Sequence, residues 1–342
     1  MLHKIPRHIL DLQKQFTDAG YEIYFVGGCI RDMLAERSVK DWDLTTNATP
    51  QQMLELFSDA FYDNQFGTVG IPMKDIPESE HPEVVEVTTF RTEKGFTDRR
   101  HPEEVAWGKS IEEDLSRRDF TINAIAMEID TVTVIPDSDR GSMDSRLRGN
   151  DKGEPNLIDP YHGQEDLKNK LIKAVGDPSL RFKEDALRLM RAIRFESQLG
   201  FSIEPATLAE ITNDAPLLSH ISGERIRDEL LKILASDFPY EGIMLLKNTN
   251  LLQYILPELI EGIGISQKRP GRHHTEDVFT HNVLSLKFCP STDPIVRLAT
   301  LIHDAGKPQV ASTDENGLVI FYNHEVAGSR IAYKIAERLK LS

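Results

Sequence analysis

The sequence predicts an α+β protein, with a mixed sheet and helices in its first half and helices alone in its second. Two observations carry this prediction. Up to about residue 135, strand-like runs such as YEIYFV, GTVGIPM and EVVEVTTF alternate with helical stretches. From about Asp166 onward, apolar residues recur at helical spacing through EDALRLMRAIRFESQL, ATLAEIT, RIRDELLKIL and GIMLLKN. Between the two lies DSDRGSMDSRLRGNDKGEP (137–155), whose only large apolar residues are Met143 and Leu147, so a flexible surface insertion is expected there. A chain of 342 residues exceeds what one core usually serves. Three segments are expected: 1–157, a helical 158–265, and a helical 266–342.

In chain order, residues 7–19 read as a helix with Ile9, Leu10, Leu12, Phe16 and Ala19 roughly on one face, ended by Gly20. Strand YEIYFV runs into Gly27-Gly28, a helix near 29–37 and a strand at DWDLTT. Thr49-Pro50 opens the helix QQMLELF, with proline in its first turn. The stretch RTEKGFTDRRHPEE is expected to be a mobile loop, and RRDFTINAIAM a helix preceding the strand TVTVI.

Composition narrows the function. Apolar residues make up 39% and charged residues 28%, ordinary for a soluble globular protein. No apolar run approaches the ~20 residues that span a bilayer, so no membrane partner is expected. Charges interleave the N-terminal apolar residues, unlike a secretory signal. Cys29 and Cys289 lie far apart and match no disulfide framework, which suits a reducing cytoplasm. A net charge of −15 argues against indiscriminate coating of nucleic acid, and DNA is not an expected partner. Yet Asp166 to Phe195 holds eight Lys or Arg against four acids, a local balance of +4 that leaves RNA open.

The chemistry begins at YFVGGCIRDMLAERSVKDWDL. Residues two apart in a strand share a face, so Asp41 and Asp43 present their carboxylates together while Trp42 and Leu44 turn inward. Paired carboxylates suit Mg²⁺, which polarises an attacking hydroxyl and holds a triphosphate. Gly27-Gly28 lets phosphates approach backbone N–H groups at the next helix, within reach of Arg31. In RRDFTINAIAM, two guanidinium groups at a helix start favour a triphosphate. In EDALRLMRAIRF, Asp185 and Arg188 are i,i+3 neighbours that can read a base edge, Arg donating and Asp accepting. Taken singly, each reads equally well as a solvated strand end, a helix cap or an intrahelical ion pair.

Together, VGGCIRDMLAERSVKDWDL, TTFRTEKGFTDRRHPEEV, EEDLSRRDFTINAIAM, IDPYHGQEDL, EDALRLMRAIRF and ISGERIRDELLKIL resemble, in order, the class II tRNA nucleotidyltransferase/bacterial poly(A) polymerase family over roughly residues 20–235. The resemblance implies a polymerase β-like nucleotidyltransferase head (1–157) and an all-α neck and body (158–265). It implies catalytic, Mg²⁺-binding Asp41 and Asp43, and triphosphate and sugar contacts at Arg117, Arg118, Asp119 and Asn123. Base selection would fall on Glu184, Asp185 and Arg188, with Arg191 and Arg194 nearby. Thr89 to Trp107 resembles the element that helps switch CTP for ATP, and 159–167 the hinge between head and neck. Glu86, on EVVEVTTF, reads as more structural than catalytic.

After residue 274, HTEDVFTHNVLSL, LATLIHDAGKP and FYNHEVAGS resemble HD-superfamily phosphohydrolases. That resemblance implies a helical HD domain (266–342) with metal ligands His281, His303, Asp304 and His324, suited to Mn²⁺, Ni²⁺ or another divalent ion. The HD pattern usually closes on a distant Asp; here the only Asp after Asp304 is Asp314. The sequence stops at RLKLS within a helical pattern, as expected of a fragment or a partial HD unit.

The implied function is untemplated addition of the 3′-terminal CCA, or part of it, to tRNA from CTP and ATP, with release of pyrophosphate. The alternatives are a poly(A) polymerase of the same family, which the acidic balance disfavours, and an HD phosphohydrolase with a non-catalytic RNA-binding head.

Overall fold

The structure is a computed structural model that describes residues 5–62, 67–73, 84–96, 102–108, 110–129, 155–267 and 276–341, without the side chains of 92–96 and 102–106. The strand expected at TVTVI and, apart from Pro155, the insertion expected at 137–155 lie outside the described residues. The described residues form two compact units that divide between Asp177 and Pro178.

The first unit opens with α1 (Arg7–Asp18), which buries Ile9, Leu12 and Phe16 at helical spacing. There follow β1 (Ile23–Val26), α2 (Gly28–Leu34), β2 (Asp43–Thr46) and α3 (Pro50–Leu56). The start of α3 is fixed by a reciprocal cap between Thr49 and Gln52, with Pro50 at its first position. Strands β3 (Phe61–Tyr62), β4 (Thr68–Pro72) and β5 (Val84–Thr89) complete one side of the sheet.

The stretch expected as a mobile loop instead forms an antiparallel hairpin, β6 (Arg91–Phe96) with β7 (Pro102–Trp107), in register at Arg91↔Trp107. Ladder hydrogen bonds need no apolar alternation, so polarity alone misled there. After α4 (Ile111–Ser116) come β8 (Ala126–Glu128), β9 (Asn156–Ile158) and α5 (Gly163–Lys168). The seven-stranded sheet runs β3-β4-β5-β2-β1-β8-β9, with β2 and β5 parallel and the other pairs antiparallel. Its core gathers Phe16, Phe25, Trp42, Leu44, Met53 and Met127.

RRDFTINAIAM does not open a helix. Ser110 accepts from the Glu113 N–H and sets α4 one turn earlier, so Arg117 becomes its C-cap and only a 3₁₀ turn, Thr121–Asn123, precedes β8. The two arginines therefore stand at a helix C-terminus, where the dipole favours cations.

The boundary expected after 157 lies twenty residues later because 158–177 is stitched to this unit. The Thr121 N–H donates to the Lys173 carbonyl at 2.9 Å and the Val175 N–H to that of Asp119 at 3.1 Å. Thr121 Oγ1 donates to the buried Asp166 at 2.7 Å. A Cβ on Gly163 would lie 2.1 Å from the Thr121 carbonyl oxygen, so only glycine fits there.

The second unit is helical: α6 (Pro178–Glu184), α7 (Leu187–Leu199), α8 (Pro205–Asn213), α9 (Gly223–Leu234), α10 (Pro239–Asn248), α11 (Leu252–Ile255), α12 (Pro257–Ile260), α13 (Val278–Lys287), α14 (Pro294–Ile302), α15 (Lys307–Val310) and α16 (His324–Arg338). Helix α7 packs on α9 and α10, burying Met190, Ile193, Leu230, Ile233, Ile243 and Leu246. The segments expected to separate at 265 form one unit. Arg297 Nη1 donates to the carbonyls of Leu234 at 2.6 Å and Ser236 at 2.9 Å, and Arg338 forks onto Glu258 at 2.6 and 2.8 Å.

Cys29 is fully buried in α2, and burial, with the Asp43 charge nearby, pushes its thiol up to about 12. In the native protein iodoacetamide should modify the partly exposed Cys289 and spare Cys29 until the chain is denatured, as read by mass spectrometry. Equal labelling of both thiols in the folded state would contradict the packing of α2 against β1.

Candidate active site

Trp42 is buried at 4% exposure and meets Phe25 edge to face, with ring centroids 5.8 Å apart. It pins the chain between Asp41, which precedes β2, and Asp43, which begins it. Asp43 is in parallel register with Glu86 of β5. These three acids, with Trp42 and Val84, line one cavity of about 280 Å³. Glu86, read from the sequence as more structural than catalytic, is brought beside Asp43 by the register of β2 on β5. Carboxylate oxygens are the donors a hard divalent cation takes, although among the described residues only His281, His303 and Asp304, as a group of three, bring their ligand atoms within 4.8 Å of one another.

Behind Asp43 lies the glycine turn. Gly27 has φ +73° and ψ −130°, open almost only to glycine. A Cβ there would come 2.8 Å from Arg118 Nη1 and 3.6 Å from Asp43 Oδ2, and one on Gly28 would lie 3.6 Å from Arg31 Nη2. The two glycines, Arg31, Arg118 and Asp43 therefore converge.

A hydrogen-bonded chain extends the group. Arg31 forks onto Asp32 at 3.0 and 2.9 Å and donates from Nη1 to Asn123 Oδ1 at 2.9 Å. Asn123 Nδ2 donates to Asp119 Oδ1 at 3.0 Å, which also accepts from the Phe120 N–H at 2.8 Å. Arg117 and Arg118 share the buried carboxylate of Asp114. All the head residues expected from the sequence thus lie in this unit; Asp114, three and four residues before the arginines, was missed although that spacing marks helix neighbours.

In the second unit the expected pair does not form an ion pair of its own. Asp185 falls in the break between α6 and α7, where it accepts from the Leu187 N–H at 3.1 Å and forks with Arg225 of α9 at 3.1 and 2.8 Å. Arg188 Nη1 donates to Glu184 at 2.6 Å and to the Arg181 carbonyl at 3.0 Å. Arg191 and Arg194 stack over Phe195 at 5.4 and 4.5 Å. Arg194 is buried and paired with Glu229 at 3.0 Å, a packing position that leaves little of it for a ligand.

A second cluster surrounds Asp304, which is 5% exposed. His281 and His303 Nε2 lie 3.3 and 3.4 Å from its Oδ2, and His324 Nε2 is 3.6 Å from Oδ1. The Nδ1 atoms of His303 and His324 are each 2.8 Å from a backbone carbonyl, of Thr300 and Phe321, which orients Nε2 inward. Three imidazoles and one carboxylate suit a transition-metal ion, and His281, His303 and Asp304 can share one. Lys307, overlooked inside LIHDAGKP, also reaches Asp304, at 2.5 Å. Burial works against the charge on Asp304, yet bonds from His303 and Lys307 hold its carboxyl well below the usual range. Asp314 is not part of this group: its Oδ1 accepts from the N–H groups of Asn316 and Leu318, closing a turn.

Among the described residues, no helix is long and apolar enough to cross a membrane. Residues 23–173 match the family described as the poly A polymerase head domain, and residues 200–262 match "Probable RNA and SrmB-binding site of polymerase A". The CCA-adding enzyme of Geobacillus kaustophilus is 41% identical over 247 residues, covering 72% of this chain and 54% of the relative. That of Limosilactobacillus reuteri is 43% identical over 243 residues, covering 71% and 53%. The chain spans about half the length of the curated relatives it matches. The crystal structure of the Bacillus stearothermophilus CCA-adding enzyme in complex with CTP is similar over 98% of this chain and 69% of that one, at 28% identity and TM-score 0.63. The Thermotoga maritima CCA-adding enzyme complexed with tRNA shares the fold at 20% identity and TM-score 0.61, over 100% of this chain and 68% of that one.

Gly27→Ala should lower stability by about 1–3 kcal/mol, because alanine must hold a glycine backbone conformation while its methyl displaces Arg118. Calorimetry or a denaturant titration measures this; an unchanged Tm would contradict the close approach of Arg118 to the turn.

Proposed function

Because the chain belongs to the tRNA nucleotidyltransferase/poly(A) polymerase family, we propose that it adds the 3′-terminal CCA of tRNA, or part of it, from CTP and ATP without a nucleic acid template. The observation that carries this is the cavity where Asp41, Asp43 and Glu86 stand together, with Gly27 and Arg118 beside Asp43. The RNA 3′ oxygen attacks the α-phosphorus, a P–O bond forms, and the bond to the β-phosphate breaks to release pyrophosphate. Asp41 and Asp43, with Glu86 beside them, would hold Mg²⁺, which supplies Lewis-acid polarisation of the attacking hydroxyl and neutralises phosphate charge. Arg31, Arg117 and Arg118 place positive charge to receive the incoming triphosphate. Asn123 and Asp119, held by each other and by Arg31, present polar groups for the sugar.

Base choice falls on Asp185 and Arg188, each fixed by a partner, Arg225 and Glu184, so that both side chains are oriented before a base arrives. Segment 200–262 would grip RNA. The expected setting is the cytoplasm. A second reading rests on the Asp304 cluster: His281, His303, Asp304 and His324 would hold Mn²⁺, Ni²⁺ or another divalent ion for phosphomonoester or phosphodiester hydrolysis at an independent centre.

The test offers purified protein, Mg²⁺ and labelled CTP or ATP to tRNA ending before CCA, at C, or at CC, with products sized to one nucleotide. Two C and then one A are expected; a stop at CC or a requirement for CC names a partial enzyme, long A tracts a poly(A) polymerase. No extension of any primer would overturn the reading. Asp43→Asn should lower the rate by about 10³-fold while leaving the melting curve in place. Arg188→Ala should reduce the preference for CTP over UTP by about tenfold or more, because a hydrogen-bonding edge is lost. His303→Ala should leave nucleotide addition intact, measured on the same primers.

A further inference from the structure

The carboxylate of Asp114 has no exposed surface. Its Oδ1 accepts from Arg117 Nε at 3.1 Å and Nη2 at 2.6 Å, and its Oδ2 from Arg118 Nη2 at 3.1 Å. Burial alone would push this carboxyl up, but the charges of Arg117 and Arg118 hold it below the usual range. Two cations on one anion leave a net charge of +1. The anchored Arg118 directs Nη1 to the Asn123 carbonyl at 3.5 Å and over Gly27, next to Asp43. An arginine left in water would lose its rotamer freedom on binding a phosphate; these two lose it on folding.

We infer that Asp114 is a positioning residue, whose buried carboxylate sets the Arg117 and Arg118 guanidinium groups to receive the triphosphate of the incoming nucleotide. The inference rests on the reading of the Asp41–Asp43 cavity as a nucleotidyl-transfer site. It assigns Asp114 no contact with substrate. Its effect passes through the arginines and falls on triphosphate affinity, before the chemical step.

Two variants separate positioning from support of the helix. Asp114→Asn keeps the volume and removes the charge. Ser110→Ala removes the cap of the same helix and leaves both ion pairs in place. Equilibrium dialysis gives the Kd for CTP with Mg²⁺, and primer extension gives KM and kcat. Asp114→Asn should raise Kd and KM for CTP by about 10-fold or more, as loss of an orienting partner does, with kcat within about 3-fold. Ser110→Ala should lower Tm and leave the Kd unchanged. Should Asp114→Asn not fold, Arg118→Lys takes its place, since lysine keeps the charge but not the fork; the same rise in Kd is expected. Wild-type affinity for CTP in Asp114→Asn or Arg118→Lys, or an equal loss in Ser110→Ala, would overturn the inference. If wild-type protein binds no CTP at all, the reading of the cavity fails and the inference with it.

Discussion

The parallel pairing of β2 with β5, together with Trp42 buried against Phe25 of β1, is the constraint on which the head depends. A buried indole packed edge to face on Phe25 cannot rotate out without leaving a large void. The residues on either side of it must therefore face the opposite way, and both are aspartates. The pairing then brings Glu86 opposite Asp43. Asp41, Asp43 and Glu86 thereby line one cavity.

Charge in this unit is organised in pairs that form before any ligand arrives. Arg31 leans on Asp32 and Asn123, and Arg117 and Arg118 on Asp114. The same economy appears in the helical unit, where Asp185 is held by Arg225 and Arg188 by Glu184. Each pair fixes a long side chain at a modest net gain in stability. Arg194 shows the limit of the pattern. Its pairing with Glu229 is buried, so its charge serves packing.

Much of this was legible in the linear sequence. The order of strand, Gly-Gly, helix and D-x-D placed the head's acids, because strand alternation and glycine's conformational range are local properties. The helical half was visible from its apolar spacing. The hairpin at 91–107 was not, since pairing between polar strands leaves no local trace. RRDFTINAIAM does not open the helix expected of it because the cap at Ser110 sets the helix before it.

By itself, the sequence determined which residues could do chemistry and which faces they share, because side-chain direction follows from backbone period. The tertiary structure alone decided which of them meet. Glu86 lies 43 positions from Asp43, Asp185 lies 40 from Arg225, and His281 lies 22 from His303, and no periodicity reaches across such gaps. Those meetings are set by sheet register and helix packing, where burial of apolar surface far from the polar groups dictates where the polar groups end.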